Sequence, residues 1–430
     1  MTDLKIKILI FAAAVLLVLS AVIPLAAAFA PAADLVPPQA AVADEPSADI
    51  AAAEEMRALW IATVNNINFP SKKGLSREKL AAELDGIVDF AAENGFNAIM
   101  FQVRPTADAL YDSNLFPASK FVSGECGKAA DDGFDCLGYL LEAAHAKSIA
   151  VHAWVNPLRV TSGNTTYPQT DIAALPESSP ARQHEECVVA YADGKLYFDA
   201  GQPYVRSLVA AGVKEICEKY DVDGIIFDDY FYPYPSDGAA FDDAATYAEY
   251  GDGMTLADFR RDSVNQLVKL CYETVKSVDE TVQFGVSPFG IWQNSDGKNG
   301  GSATRGLEAY DSIYCDALAW ARGGYVDYLA PQIYWSFDTK AAPFDTLAEW
   351  WNEALRGTGV KYYISYGVYR YADGAMESGE VSRQVEFARG LDNCRGGMYY
   401  GYAALKANSD GVTDELAEAF EKSVIYLEVN

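Results

Sequence analysis

The sequence predicts an α/β protein built as a TIM (β/α)8 barrel, preceded by a signal or anchor segment and a linker. Three observations carry this. From Met56 onward, eight short apolar segments alternate with amphipathic helices, and repeated strand–helix units imply parallel strands joined by right-handed crossovers. The helix-to-strand links, such as ENGFNAI and KYDVDGI, are short, whereas the strand-to-helix loops are longer and richer in polar and aromatic residues. In a barrel those loops share the C-terminal face, where active sites sit. Finally, the stretch after the first strand, TVNNINFPSKKG, lacks the Gly-rich phosphate loop expected of an open doubly wound sheet.

The elements follow in order. Residues 1–30 read as a signal peptide or N-terminal membrane anchor. Lys5 and Lys7 precede an apolar run over 8–30, broken by Pro24, and Ala26, Ala28 and Ala30 offer small residues for cleavage. An uncleaved run of this length can hold the chain in a membrane. Residues 31–54, rich in Ala and Pro without amphipathic pattern, read as a linker. Residues 55–430 carry the barrel, with strands expected at 57–64, 98–105, 149–157, 223–229, 282–288, 326–335, 362–369 and 397–402. Helices are expected between them, among others at 76–94, 136–147, 204–219, 255–278, 341–355 and 379–391, the first closed by Gly95 as a C-terminal cap.

Composition narrows the function. The net charge of −28, with no run of Lys or Arg, excludes a nucleic-acid binder, which needs a basic footprint. The 27 Tyr, 20 Phe and 7 Trp suit stacking on the apolar faces of sugar rings, although large cores use aromatics too. Of seven cysteines, Cys126 and Cys136 flank a Gly/Asp-rich loop and can pair locally, while Cys217 and Cys271 read as buried thiols. With no CxxC and only three histidines, neither a metal site nor a cofactor is expected. No GxSxG elbow or HExxH motif is present.

Polar residues at strand ends are the candidates for chemistry, because parallel barrel strands are otherwise apolar on both faces. Alternation along each strand groups Gln102 with Arg104, His152 with Trp154 and Asn156, Ile226 with Asp228, Gly285 with Ser287, and Gln332 with Tyr334. All five sets fall at C-terminal strand ends and would ring one cavity mouth. Glycosidic cleavage needs one carboxylic acid to protonate the departing oxygen and one carboxylate to face the anomeric carbon. Asp228 and Asp229 close the segment DGIIFDDYFYP, and alternation favours Asp228 as the inward residue. Two neighbours on an extended strand point to opposite sides, so both face a substrate only if the strand has already turned. Asp108, Arg104, Tyr230, Trp292 and Trp335 complete the candidate substrate contacts.

The order RALWIATVNNINFP, FQVRPTADALY, HAWVNPLR, FDAGQPYVR, DGIIFDDYFYP, FGVSPFGIW and PQIYW resembles the glycosyl hydrolase-like 10 family of exported bacterial proteins, from about residue 55 to at least Trp335. The resemblance implies a TIM barrel, a cell-envelope location and glycosidase-type activity, in some relatives on peptidoglycan glycan strands. DGIIFD is also similar to the fourth strand of retaining α-glycosidase barrels, whose nucleophile would map to Asp228. Those enzymes place a Glu at the fifth strand end, where GVSPFGIWQN has no acid. The proton donor is therefore open between Asp229 and Asp108. Two other readings remain: a non-catalytic glycan-binding barrel, and a barrel enzyme of another class such as one handling phosphate.

Overall fold

The computed structural model describes residues 55–236 and 238–429. The expected signal or anchor segment and the expected linker lie outside the described residues. Eight parallel strands close on themselves: β1 (Met56–Ile61), β2 (Ala98–Arg104), β3 (Ala150–Val155), β4 (Gly224–Phe227), β5 (Gln283–Val286), β6 (Tyr328–Leu329, resumed at Gln332–Ile333), β7 (Lys361–Gly367) and β8 (Cys394–Tyr400). Each pairs with its sequence neighbours, and β8 returns to β1 through pairs such as Ala58 with Met398. The sequence reading of β6 as one long strand is corrected. Pro331 has no N–H to give to a ladder, so pairing lapses there and resumes at Gln332.

A helix follows every strand: α1 (Arg77–Glu93), α2 (Cys136–His145), α3 (Pro203–Lys219), α4 (Leu256–Val278), α5 (Ala317–Gly323), α6 (Phe344–Ala354), α7 (Glu380–Arg389) and α8 (Val412–Val429). Their sequences show why. In α1 the buried residues Leu80, Leu84, Ile87, Val88 and Ala91 recur at helical spacing and form one stripe. Gly95, at φ +75°, ends that helix in the left-handed region that glycine enters without strain. Asp135 caps α2 by accepting from the amides of Leu137 and Gly138, each at 3.1 Å. Pro203 opens α3, where its missing N–H costs nothing.

Two apolar layers result. One lies between strands and helices. The other fills the pore, with Trp60, Met100, Trp154, Ile226, Tyr328, Tyr363 and Met398 among its members. Small residues make room for large ones: a Cβ on Gly224 would lie 2.4 Å from His152 Nδ1, and one on Gly285 would lie 2.1 Å from the Tyr328 ring. All seven cysteines are free, including Cys126 and Cys136, and Cys271 is fully buried while Cys217 is partly so.

The pore packing is tested by Gly285→Ala. The added methyl must push the Tyr328 ring aside, and overpacking of this kind costs about 1–3 kcal/mol. A denaturant midpoint equal to that of the wild type would show that the pore is looser than described.

Candidate active site

The strand-to-helix loops enclose a cleft of about 520 Å3 at the C-terminal end of the barrel. Its floor includes Trp60, Gln102, Trp154, Asp228 and Gln332, and its walls carry Tyr230, Tyr334, Trp335 and Tyr400. The arrangement follows from strand period. Gln102, Trp154 and Gln332 sit on the inward side of β2, β3 and β6, and Asp228 follows the end of β4 two residues after the inward Ile226, as alternation predicts.

Asp228 is the hub of a hydrogen-bond network. Asn156 Nδ2 donates to its Oδ2 at 3.1 Å, and Gln332 Nε2 and the Asp229 amide donate to its Oδ1 at 3.2 and 2.8 Å. Asn156 is itself fixed, its Oδ1 accepting from Gln102 Nε2 at 2.6 Å and from Arg159 Nη2 at 2.9 Å. Gln102 is fully buried and its Oε1 accepts from the amides of Thr63 and Val64. One chain of bonds therefore runs from the loop after β1 to Asp228. Buried polar groups cost little only when each finds a partner, so such a network holds one arrangement.

Asp229 also lines the cleft. The strand ends at Phe227, before the pair, and this is how two adjacent carboxyls come to share one cavity. Asp229 is 2% exposed, and the Tyr234 hydroxyl donates to its Oδ2. Burial, then the neighbouring Asp228 charge, hold its carboxyl well above the usual carboxylate range. The loop that carries the pair is pinned from α4. Arg260 makes a bidentate contact to Asp243 at 2.7 and 2.6 Å and also donates to the Phe241 carbonyl.

Several sequence expectations need correction. Arg104 is not in the cleft. The β2–β3 register shifts between Gln102 and Arg104, and this bulge turns Arg104 to the outer face. There it is fully buried, with its guanidinium 3.6 Å from the centre of the Phe116 ring. His152 lies one inward position below the cleft floor, buried, with Nδ1 2.8 Å from the Tyr328 hydroxyl. Ser287 is buried beneath the floor and donates to the Ala330 carbonyl. Trp292 belongs to an outer loop, bonded to Asp316 and stacked on Trp350. Asp108 lines a separate cavity. Among the described residues lining the cleft, Asp228 and Asp229 are the only carboxylates.

Other lining residues escaped the sequence reading. Trp60 packs edge-on to Trp154, with ring centres 4.8 Å apart. Tyr369 and Tyr400 flank Tyr334. Three cations, Arg159, Lys195 and Arg370, also line the cleft. Arg159 lies within HAWVNPLR, the one signal that could have marked it. Its guanidinium sits 5.0 Å from the centre of the Tyr230 ring. Trp154 Nε1 and Arg370 Nε are buried donors with no hydrogen-bond partner. Among the described residues no three His, Cys, Asp or Glu side chains converge in a way that could hold a metal ion.

The chain matches the Glycosyl hydrolase-like 10 family over residues 55–377. It is 39% identical over 370 residues to glycosyl hydrolase YngK of Bacillus subtilis (strain 168), covering 84% of this chain and 71% of that protein. It is 35% identical over 332 residues to glycosyl hydrolase DigH of Escherichia coli (strain K12), covering 74% of each. Among solved structures, the glycoside hydrolase domain of PgaB (BpsB) from Bordetella bronchiseptica is similar at a TM-score of 0.53 and 12% identity, covering 84% of this chain and 98% of that one. That likeness bears on the fold alone. The chain belongs to the glycosyl hydrolase-like 10 family.

His152 gives a test of how dry the pore is. Burial lowers its pKa to about 4, against a reference near 6.5 for an exposed histidine. The folded form thus resists a proton that the unfolded chain accepts. Stability is full above about 6.5 and falls as pH drops toward about 4, by on the order of 3 kcal/mol over the whole window. Denaturant midpoints of the wild type should fall more steeply than those of His152→Gln between these limits. Parallel curves would mean that water reaches the ring.

Proposed function

We propose that this family member is an exported glycosidase that cleaves acidic cell-envelope glycan, specifically peptidoglycan glycan strands, with Asp228 and Asp229 as its catalytic carboxyls. The observation that carries the reading is the pair itself: two carboxyls in one cleft, one accepting three N–H donors and the other pushed toward its protonated form.

The chemistry follows from that division. Asp229 gives its proton to the departing glycosidic oxygen as the C–O bond breaks. Asp228 faces the positive charge that develops on the sugar ring. A water completing hydrolysis returns a proton to Asp229. Asp108, the rival donor, lies in another cavity and cannot serve here. Aromatic walls suit the apolar faces of sugar rings, and Trp154 Nε1 offers an unused donor to a sugar oxygen. In a chain of net charge −28, the cleft still carries Arg159 with Lys195 and Arg370, the last two paired with Asp193 and Asp373, and this group of cations favours a substrate bearing carboxylates, as peptidoglycan sugars do once peptides are removed. Export rests on the basic and apolar pattern of residues 1–30, which also leaves membrane attachment open.

Mass spectrometry of products from intact and peptide-stripped peptidoglycan tests the reading. The wild type should release new sugar ends, faster from stripped strands, and Asp228→Asn should release none. Equal products from both proteins would remove Asp228 from the mechanism. Saturable binding without any product would instead identify a non-catalytic glycan-binding barrel.

The pH profile tests the roles. Activity is present while Asp229 holds its proton and is lost as pH rises through its raised pKa. Asp229→Asn should lower kcat by roughly 10²–10⁴ and abolish that alkaline limb. A limb unchanged in the variant would assign the proton to another group.

A further inference from the structure

A second cavity, of about 350 Å3, lies between the loops that follow β2 and β3. The stretch 159–162 is the wall between the two sites. Arg159 and Ser162 line the main cleft, whereas Val160 and Thr161 line the side cavity. The two openings therefore share a partition but no carboxylate.

The side cavity contains a carboxylate with an unmet need. Asp108 is 2% exposed. Its Oδ1 accepts from Thr106 Oγ1 at 2.7 Å, but Oδ2 is buried without a hydrogen-bond partner. Leaving a buried acceptor unpaired costs about 1–3 kcal/mol, more for a charged group. Burial raises the Asp108 pKa, against hydrogen bonding from Thr106, Ser119 and the Lys120 amide and the Lys120 charge, and burial lowers the Lys120 pKa against the Asp108 charge. Lys120 lines the same cavity and donates to Gln169 Oε1. An ammonium has three N–H donors, so two remain for a ligand. The cavity thus presents Asp108 and Lys120 as groups of opposite charge, with Val160 and Leu175 as apolar wall and the exposed Asp171, which accepts from the Ala173 amide, at its edge.

We propose that this side cavity binds a small zwitterion of the α-amino-acid type, with its ammonium on Asp108 and its carboxylate on Lys120. A sugar hydroxyl could bond Asp108 Oδ2 but would bring no opposite charge to either Asp108 or Lys120. The zwitterion satisfies both groups at once and places its short side chain against the apolar wall. The inference stands apart from the glycan reading, since it uses none of the cleft residues.

Calorimetric titration of the full chain with alanine tests it, alongside N-acetylalanine, alaninamide and N-acetylglucosamine. Alanine should bind, and each analogue lacking one charge should bind at least about tenfold more weakly, a difference of about 1.4 kcal/mol. Asp108→Asn and Lys120→Met should each weaken alanine binding by a similar factor, while Asp228→Asn leaves it unchanged. If Asp108→Asn fails to fold, Lys120→Met decides alone, since that side chain is only half-buried. No heat from alanine up to roughly 10 mM would overturn the proposal. So would variants that bind like the wild type, loss of binding in Asp228→Asn, or N-acetylglucosamine binding at least as tightly as alanine.

Discussion

The site depends on one buried carboxylate being held from three directions. Asp228 receives N–H groups from Asn156 beyond β3, from Gln332 on β6, and from the backbone of its own neighbour. Each donor belongs to a different part of the barrel end, so the hydrogen bonds fix the mouth as well as the acid. Gln102 extends the tie to the loop after β1. Losing any one donor would leave a buried charge short of a partner, and that cost keeps the whole arrangement in place. The barrel makes this possible, because only a closed sheet brings the ends of non-neighbouring strands to one point.

The same burial separates the two acids. Asp229 is adjacent in sequence but differs in surroundings, having a tyrosine hydroxyl on one oxygen and a charged neighbour at its back. Burial, then the adjacent Asp228 charge, raise the Asp229 pKa and favour its protonated form. One carboxyl is thereby suited to giving a proton and the other to facing positive charge. The cations around the cleft have partners of their own or lie against its rings. Arg159, Lys195 and Arg370 line the cleft, Lys195 paired with Asp193 at 2.6 Å and Arg370 with Asp373 at 3.6 Å.

Much of this was legible in the sequence, for definite reasons. The eight strands stood out because strand and helix periods differ, and the inward positions of Gln102, Trp154, Asp228, Gln332 and Tyr334 followed from alternation alone. Alternation misplaced Arg104 because a bulge after Gln102 reverses the face, and nothing in FQVRP announces a bulge. It also carries no depth. His152 and Ser287 point inward as expected, yet sit below the floor, where they bond to Tyr328 and Ala330 rather than to a ligand. That Asp228 and Asp229 both line the cleft depends on where pairing stops, which is set by the neighbouring strands rather than by DGIIFDD itself. Lys195 and Arg370 arrive through loop paths and the end of β7, and no local periodicity could have placed them.

The central claim is that the pair holds a single negative charge, with the proton on Asp229. Carbon-13 titration of the aspartate carboxyls in the full chain tests this directly. Burial raises Asp108, Asp199 and Asp316 as well, so among the high-titrating carboxyl signals one should vanish in Asp229→Asn while those of the other three persist. If no high-titrating signal is lost in that substitution, the division of roles within the pair is wrong.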